Sequence, residues 1–307
     1  MEIFQGHQAA SGLRDPAIAL GNFDGVHVGH QALLRRAADR AGGGDTVVYT
    51  FEPHPARVLA PKLAPPLLTS LDRKLELLDQ AGASAVVVEP FTREFAGKST
   101  SDFHAILKAM GAKYLVVGYD FTYGSKRSGS VETLRSFASE AGLGIDVVDA
   151  VDADGLVASS TKIREFIGEG NMPGAALLLG RPHEAQGVVI RGAGRGRTIG
   201  IPTANIAPGP ELLPPAGVYA VRVERPAGEP SASLPGAANL GVNPTFQDDG
   251  RLSLEVHILD FDEDLYGQPL RIEFIERLRG EKRFSGPDQL IAQIHQDIAK
   301  AREILAT

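Results

Sequence analysis

The chain has 307 residues, enough for one large or two ordinary domains, and a globular composition of 43% hydrophobic and 22% charged residues. It has no cysteine, which excludes disulfides and cysteine-ligated zinc. A formal net charge of −7 disfavours nucleic acid as a partner, although a local positive pocket for anionic small molecules remains compatible with it. The sequence has neither a signal-peptide pattern nor an apolar run of roughly 20 residues, so we expect a cytoplasmic protein with no membrane partner. Whether the chain forms a homo-oligomer is left open.

The first 150 residues alternate short apolar runs with amphipathic segments. The apolar and β-branched runs predict strands at Ala17–Leu20, Thr46–Phe51, Ala85–Val88, Tyr114–Val117 and Ile145–Val148. Apolar residues at helical spacing predict helices at Gln31–Ala41, Ser70–Gln80, Asp102–Met110 and Val131–Ala141. This alternation indicates an α/β fold with a parallel sheet covered by helices, whose ligands bind at the carboxyl ends of the strands.

The pattern changes near Gly180, where helical periodicity stops. Glycine- and proline-rich turns then separate predicted strands at Gly187–Arg191, Val218–Val223, Leu252–Leu259 and Leu270–Ile275. These short strands indicate a small antiparallel barrel or sandwich. A closing helix should begin at Pro287 and carry one apolar stripe, formed by Leu290, Ile291, Ile294, Ile298, Ala301 and Leu305. We therefore predict two domains, residues 1–180 and 181–307.

The string GNFDGVHVGH, residues 21–30, lies between the first predicted strand and the first predicted helix. Gly21, Gly25 and Gly29 allow close approach of a ligand to the backbone, and the helix N-terminus attracts phosphate. His27 and His30 lie one helical turn apart, so both rings can point at one phosphate and stabilise its charge. The alternatives are a structural glycine-rich turn and a metal pair, and no third metal ligand is apparent nearby. The string favours phosphate binding.

A second polar segment, SSTKIR at 159–164, precedes the end of the first predicted domain. Its hydroxyls and cations suit a mobile loop that closes on phosphates, although alone it is only a Ser/Thr-capped helix start. Together with GNFDGVHVGH it resembles the two signature segments of the HIGH-type nucleotidyltransferases, which have a Rossmann-like fold. In those enzymes a nucleophile attacks the α-phosphate of a nucleotide and pyrophosphate leaves.

Two further strings narrow this resemblance to the FAD synthetase module: GYDFTYG at 118–124 and TFEPHP at 50–55. The resemblance implies that the phosphate of FMN is the nucleophile. Two departures from the usual pattern are Tyr123, where Phe is frequent, and Ala158, where Ile is usual. Asp120 has the alternative of being a structural turn carboxylate. The residues assigned to this site are Gly21, Asn22, Asp24, Gly25, His27, Gly29, His30, Asp120, Ser160, Thr161, Lys162 and Arg164.

The string GAGRGRTIGIPTAN, residues 192–205, predicts a second phosphate site without a Walker motif. Its glycines allow backbone amides to face phosphates and its arginines add charge, although such a loop is often only a flexible hairpin. Thr203 and Asn205 offer two hard oxygen ligands that suit Mg²⁺ with a bound nucleotide. The remaining residues assigned to this site are Gly194, Arg195, Gly196, Arg197, Gly200 and Pro202.

A candidate general base comes from the alternation in RLSLEVHILDF, residues 251–261. Leu252, Leu254, Val256 and Ile258 share one strand face, so Glu255 lies on the other. A carboxylate close to a nucleotide phosphate can accept the proton of an attacking hydroxyl. The alternative is a solvated outer face.

These C-terminal strings resemble the riboflavin kinase module, as do GRPHEAQGVV at 180–189, GVYAV at 217–221, LGVNPTF at 240–246 and LRGEKRF at 278–284. Ile201 and Asn243 depart from residues common in that module. The whole chain thus resembles a bifunctional riboflavin kinase/FAD synthetase. This implies Mg²⁺, ATP as a substrate at both sites, and riboflavin, FMN and FAD as substrates or products. The rival functions are adenylylation of another acceptor and non-catalytic flavin binding.

Overall fold

The computed structural model describes residues 1–192, 194, 196, 199–225, 233–242 and 252–306, with the side chains of Val242 and Leu252 left aside. Its contacts divide the chain into two compact units. The first unit comprises Met1–Pro66 and Ser70–Ser159, and the second comprises Leu67–Thr69 and Ser160–Thr307. The predicted domain boundary after residue 180 stays a prediction.

The first unit is built on a six-stranded sheet in which every described pair of neighbours is parallel. Its strand β2 reads Ala-Ile-Ala-Leu, and all four residues are buried, as expected where helices cover both faces of a parallel sheet. The predicted α/β class is confirmed. The strands are β1 (Glu2–Gln5), β2 (Ala17–Leu20), β3 (Thr46–Glu52), β4 (Ala85–Pro90), β5 (Tyr114–Gly118) and β6 (Gly144–Val148).

Helices pack against both faces of this sheet. On one face Leu34 and Leu78 join the core that contains Ala17 and Ala19, and on the other Leu107 joins the core around Ile18 and Leu20. The helices are α1 (Val28–Ala41), α2 (Pro55–Leu59), α3 (Leu71–Gln80), α4 (Arg93–Ala96), α5 (Thr100–Ala109) and α6 (Val131–Ala141), and a hairpin of β7 (Asp152–Ala153) and β8 (Leu156–Val157) follows.

The strand order, β1-β4-β3-β2-β5-β6, determines where a ligand can bind. After β2 the chain builds the sheet towards β3, and it later returns to add β5 on the other side of β2. The segments that follow β2 and β5 therefore diverge at a topological switch point, where open parallel sheets bind their ligands. GNFDGVHVGH and GYDFTYG are those two segments.

As far as the second unit is described, two helices precede a closed six-stranded barrel and a closing helix follows it. Its neighbouring strands are antiparallel, in the order β10-β13-β12-β11-β14-β9, and closure leaves the barrel without a free edge. Of the two predicted architectures, the barrel is the correct one. The elements are α7 (Ser160–Glu169), α8 (Met172–Leu179), β9 (His183–Ile190), β10 (Ala204–Pro208), β11 (Gly217–Glu224), β12 (Leu234–Val242), β13 (Leu252–Ile258), β14 (Pro269–Arg279) and α9 (Pro287–Leu305).

The closing helix α9 begins at Pro287, as predicted, and packs against the barrel strands. Only Ala301 of its predicted apolar stripe is fully buried, and Leu290 is exposed. The attachment is also polar, because the Asp297 carboxylate accepts hydrogen bonds from Nε and Nη2 of Arg279 at 2.8–3.1 Å. An ion pair therefore ties the helix to the end of β14.

Candidate active sites

The turn after β2 has an unusual backbone. Phe23, Gly25 and Val26 all have positive φ angles, of 52°, 84° and 41°, and only the glycine adopts such a conformation without strain. The Thr50 hydroxyl at the end of β3 donates a hydrogen bond of 2.9 Å to the Asn22 carbonyl. Strained backbone that its surroundings hold in place is typical of ligand-binding segments.

The two histidines of this turn lie directly against each other. The rings of His27 and His30 stack with centroids 3.7 Å apart, and the His30 amide donates to His27 Nδ1 at 3.3 Å. A Cβ atom at Gly29 would lie 3.0 Å from the His27 ring, which explains the glycine between them. Because Nδ1 of His27 accepts this bond, a neutral His27 carries its proton on Nε2. The two rings therefore form a contact pair, and their contact with one phosphate stays a prediction.

Burial favours the neutral form of the second histidine. Burial, followed by the neighbouring His27 and Lys74, lowers the pKa of His30 well below its ordinary value of 6.5. Its Nδ1 atom is buried and has no hydrogen-bond partner among the residues that the structure describes. A buried polar atom without a protein partner at the carboxyl edge of a sheet is a candidate ligand contact.

Asp120 lies in the loop after β5 and is exposed to solvent. The loop is anchored by Tyr123, which exchanges two backbone hydrogen bonds with Gly129, at 3.1 and 2.8 Å. The Tyr123 hydroxyl also meets His104 Nε2 at 2.6 Å and Thr133 Oγ1 at 3.1 Å. Asp120 thus belongs to the same sheet edge as the histidine turn, and its role stays a prediction.

The segment SSTKIR was expected to be a mobile loop that precedes a helix. In the structure Ser160 is already the first residue of α7, so Thr161, Lys162 and Arg164 lie in its first turns. The Lys162 ammonium pairs with Glu165 at 2.9 Å and lies over the Phe166 ring. Hydrophobic anchoring explains the helix, because Ile163, Phe166 and Ile167 of α7 are buried.

The second site lies on the outer face of the barrel, where three neighbouring strands align their polar residues. Asn205 of β10 is the register partner of Glu255 on β13, and Glu255 is in turn the partner of Asn239 on β12. Directly opposed residues on neighbouring strands share one face. Leu254 and Val256 point into the core, at 1% and 0% exposure, which confirms the predicted alternation around a partly exposed Glu255.

The PTAN segment is held by one hydrogen bond, and a neighbouring glycine leaves room for its asparagine. His257 Nδ1 lies 2.8 Å from the Pro202 carbonyl and holds the residue before Thr203. A Cβ atom at Gly192 would collide with the Asn205 amide, so the glycine leaves room for that side chain. Gly194 and Gly200 both have positive φ, which fits a tight loop. Arg195, Arg197 and Asn243 lie outside the described residues.

A cavity of about 450 Å³ opens beside Thr203. Apolar side chains of the barrel form one wall, and the loop from Phe261 to Tyr266 forms the other. Its size and its mixture of aromatic and polar lining suit a small ligand. The lining residues are Val189, Pro202, Thr203, Ala204, Val256, Ile258, Phe261, Asp262, Glu263, Asp264, Leu265 and Tyr266.

Sequence reasoning missed three residues of these two sites. Lys74 of α3 is 6% exposed beside the histidine turn, and Asn239 and His257 flank Glu255. One signal was available, because Lys74 falls between Leu71 and Leu78 on the apolar stripe of a predicted helix. A charged residue at such a position is rarely fully buried without a partner or a function.

Family models match both units in the expected order. The FAD synthetase model matches residues 10–162, and the riboflavin kinase model matches residues 179–305.

No group of three or more His, Cys, Asp or Glu side chains is placed to hold a metal ion in the part of the chain that the structure describes.

Curated relatives match almost the whole chain. A bifunctional riboflavin kinase/FMN adenylyltransferase of Listeria monocytogenes is 40% identical over 294 residues, covering 94% of this chain and 92% of its own length. A protein of the same name from Escherichia coli K12 is 38% identical over 290 residues, covering 93% and 91%.

A solved structure also matches over 98% of both chains, with a TM-score of 0.87 and 32% identity. It is described as a macrolide-efflux protein from Streptococcus pneumoniae. Across the described ranges of the present chain, no helix is both long and apolar enough to cross a membrane. The family models and the curated relatives confirm the resemblance seen in the motifs, and the chain belongs to the family of bifunctional riboflavin kinase/FMN adenylyltransferases.

Proposed function

We propose that the chain carries out the two reactions of its family at two separate sites, one in each unit. The barrel phosphorylates riboflavin to FMN with ATP, and the parallel-sheet unit transfers AMP from a second ATP to FMN. The observation that carries this proposal is the presence of two distinct polar clusters. One is the stacked His27–His30 pair at the switch point, and the other is the Asn205–Glu255–Asn239 row on the barrel. Cytoplasmic ATP would supply both reactions.

At the switch point, the residues are suited to stabilising a phosphate under attack. A phosphate oxygen of FMN attacks the α-phosphorus of ATP, and the bond from that phosphorus to the bridging oxygen breaks as pyrophosphate leaves. His27 would donate its Nε2 proton to a phosphate oxygen, and neutral His30 would contribute its own ring N–H. Gly21, Asn22, Asp24, Gly25 and Gly29 shape the turn, and Asp120 would help to place a substrate.

The segment SSTKIR keeps its predicted phosphate-binding role in this proposal. Ser160 and Thr161 carry hydroxyl groups at the start of a ten-residue helix, where backbone N–H groups and the helix dipole favour anions. Lys162 and Arg164 add positive charge, and a guanidinium can bind a phosphate with two parallel hydrogen bonds. Their task would be to neutralise the charge that develops on pyrophosphate.

On the barrel, Glu255 would act as the general base. The terminal ribityl hydroxyl of riboflavin attacks the γ-phosphorus of ATP, its proton passes to the Glu255 carboxylate, and ADP leaves. Asn205 and Asn239 flank Glu255 on neighbouring strands and can orient the substrate. The nucleotide would enter the cavity beside Thr203. The phosphate contacts predicted for Gly194, Arg195, Gly196, Arg197, Gly200 and Pro202 remain part of this proposal.

Thr203 and Asn205 fit a magnesium ion as two members of its ligand shell. A hydroxyl and an amide oxygen are hard ligands, and phosphate oxygens and water complete the shell of Mg²⁺ in nucleotide sites. The Gly192 position leaves room for the Asn205 amide, which a larger residue would displace. When bound, Mg²⁺ neutralises phosphate charge during transfer.

The experiment that tests this function separates the two reactions on one protein. Purified protein with riboflavin, ATP and Mg²⁺ should form FMN and then FAD, which chromatography resolves. Glu255→Gln should stop FMN formation from riboflavin yet still convert supplied FMN to FAD, and His30→Asn should do the reverse. A protein that phosphorylates riboflavin but never adenylylates supplied FMN would point to another acceptor.

A further inference from the structure

Lys74 is a buried lysine that the two proposed reactions leave unexplained. It lies in the first turn of α3 and is only 6% exposed. Its ammonium donates to the Asn22 carbonyl at 3.4 Å and to the Phe51 carbonyl at 3.5 Å. Asn22 belongs to the histidine turn and Phe51 to the end of β3, so one cation connects two segments of the switch-point edge.

The burial of this ammonium costs free energy that its two long hydrogen bonds do not fully offset. Desolvation lowers the pKa of Lys74, while the negative charges of Glu52 on β3 and Asp24 in the turn act in the opposite direction. Such a group in the interior is expensive compared with an apolar residue of the same size. A buried charge at a ligand-binding edge is a functional candidate.

The charge of Lys74 also reaches the histidine pair. After burial and the neighbouring His27, Lys74 is the third cause that lowers the pKa of His30. The charged and titratable groups in this neighbourhood are thus Asp24, His27 and His30 on the turn and α1, Glu52 on β3, and Lys74 on α3. Lys74 therefore acts electrostatically on His30, while Glu52 and Asp24 favour the charged form of Lys74.

We propose that Lys74 is a positioning residue for the adenylylation of FMN, which holds the histidine turn against the end of β3 and places a fixed positive charge beside His30. The inference rests on the proposed use of His30 in this reaction. It predicts that the side chain contributes to rate and to pH dependence, and that it contributes nothing favourable to folding.

Three substitutions separate these contributions. Lys74→Met removes both the charge and the donor, Lys74→Gln keeps a donor without charge, and Lys74→Arg keeps the charge. Lys113→Met is the matched control, because Lys113 is an exposed lysine of the same unit. For each variant kcat and KM for FAD formation from FMN are measured between pH 5 and pH 9, together with riboflavin phosphorylation and the thermal unfolding midpoint.

We expect Lys74→Met to lower kcat of FAD formation about 10- to 100-fold, as when reacting groups are misplaced by a fraction of an ångström. Without the Lys74 charge, protonated His30 is less disfavoured, so the acid limb of the rate profile moves to higher pH in Lys74→Met and Lys74→Gln. Lys74→Arg should keep the acid limb of the unmodified protein. Riboflavin phosphorylation should stay unchanged, and the unfolding midpoint of Lys74→Met should be equal or higher.

Two results would overturn the inference. One is a Lys74→Met protein with the rate and acid limb of Lys113→Met. The other is a loss of rate that accompanies a lower unfolding midpoint while the acid limb stays in place in both Met and Gln variants, which would mean a purely structural role. His30→Asn distinguishes the underlying function: if it still forms FAD, the proposed role of His30 fails, whatever Lys74 does.

Discussion

The hydroxyl of Tyr123 offers a direct test of how the loop after β5 is held. Its oxygen lies 2.6 Å from His104 Nε2 and 3.1 Å from Thr133 Oγ1, and Thr133 in turn donates to the Ser130 carbonyl at 2.9 Å. One set of protons satisfies all three bonds: His104 donates from Nε2 to Tyr123, Tyr123 donates to Thr133, and Thr133 donates to Ser130. Tyr123→Phe removes the middle of this chain and keeps the ring.

The loss of stability caused by Tyr123→Phe depends on the two hydrogen-bond partners, His104 and Thr133, that remain. Each lost hydrogen bond contributes about 0.5–1.5 kcal/mol. His104 is half-buried and Thr133 is exposed, so water can replace part of the loss. We therefore expect the free energy of unfolding of the first unit to fall by about 1–2 kcal/mol. For a unit of this size that corresponds to a decrease in Tm of about 2–8 °C.

Circular dichroism across a thermal ramp measures the shift, and amide hydrogen exchange locates it in α5, α6 and the loop between β5 and α6. A double-mutant cycle with Thr133→Val isolates the pairwise contribution. Because the aromatic ring still packs against Phe103 and Phe121, FAD formation below the transition should stay within about threefold of the original rate. An unchanged Tm with unchanged exchange would refute the hydrogen-bonded anchor.

Three further predictions concern the second unit. Burial lowers the pKa of His183 from 6.5 to about 4. The stabilising contribution of neutral His183 is therefore present above pH 6.5 and is lost as the pH falls towards 4. His183→Gln should remove up to about 3 kcal/mol of that pH dependence, which urea titrations at several pH values would detect. Asp297→Ala leaves Arg279 without its buried carboxylate partner. The free energy of unfolding, measured in denaturant titrations, should fall by about 3–5 kcal/mol. A loss below about 1 kcal/mol would contradict this. Asn205→Ala removes one hard ligand, so it should raise the Mg²⁺ concentration needed for half-maximal riboflavin phosphorylation by about tenfold or more. The Mg²⁺ dependence of FAD formation should stay the same. Equal shifts in both reactions would be inconsistent with a ligand role.

Much of the fold follows from local sequence patterns. Helix α6 has the predicted bounds, and β13 alternates as predicted, because strong periodicity and good caps agree with the tertiary environment. The predictions failed where the local pattern was weak. Strand β12 reads Leu-Pro-Gly-Ala-Ala-Asn-Leu-Gly-Val, with little β-propensity, and pairing with β11 and β13 makes it a strand.

The chemical sites were predictable to the extent that they lie within continuous strings. His27 is the N-cap of α1 and accepts a hydrogen bond from the His30 amide three residues later, so a local capping contact brings the two residues together. Asn239 and Lys74 come from distant segments, and only strand register and helix packing place them beside Glu255 and Asn22. The start of α7 at Ser160 was likewise decided by buried Ile163 and its neighbours, which a six-residue motif does not reveal.

The central claim is that the two units each bind ATP and direct attack to different phosphorus atoms. Isothermal titration of the full chain with a non-hydrolysable ATP analogue and Mg²⁺ measures this directly. The account predicts two nucleotides bound per chain, and one in a Thr203→Val/Asn205→Ala variant that keeps the histidine turn intact. A stoichiometry of one in the unmodified chain, or no change in the variant, would contradict it.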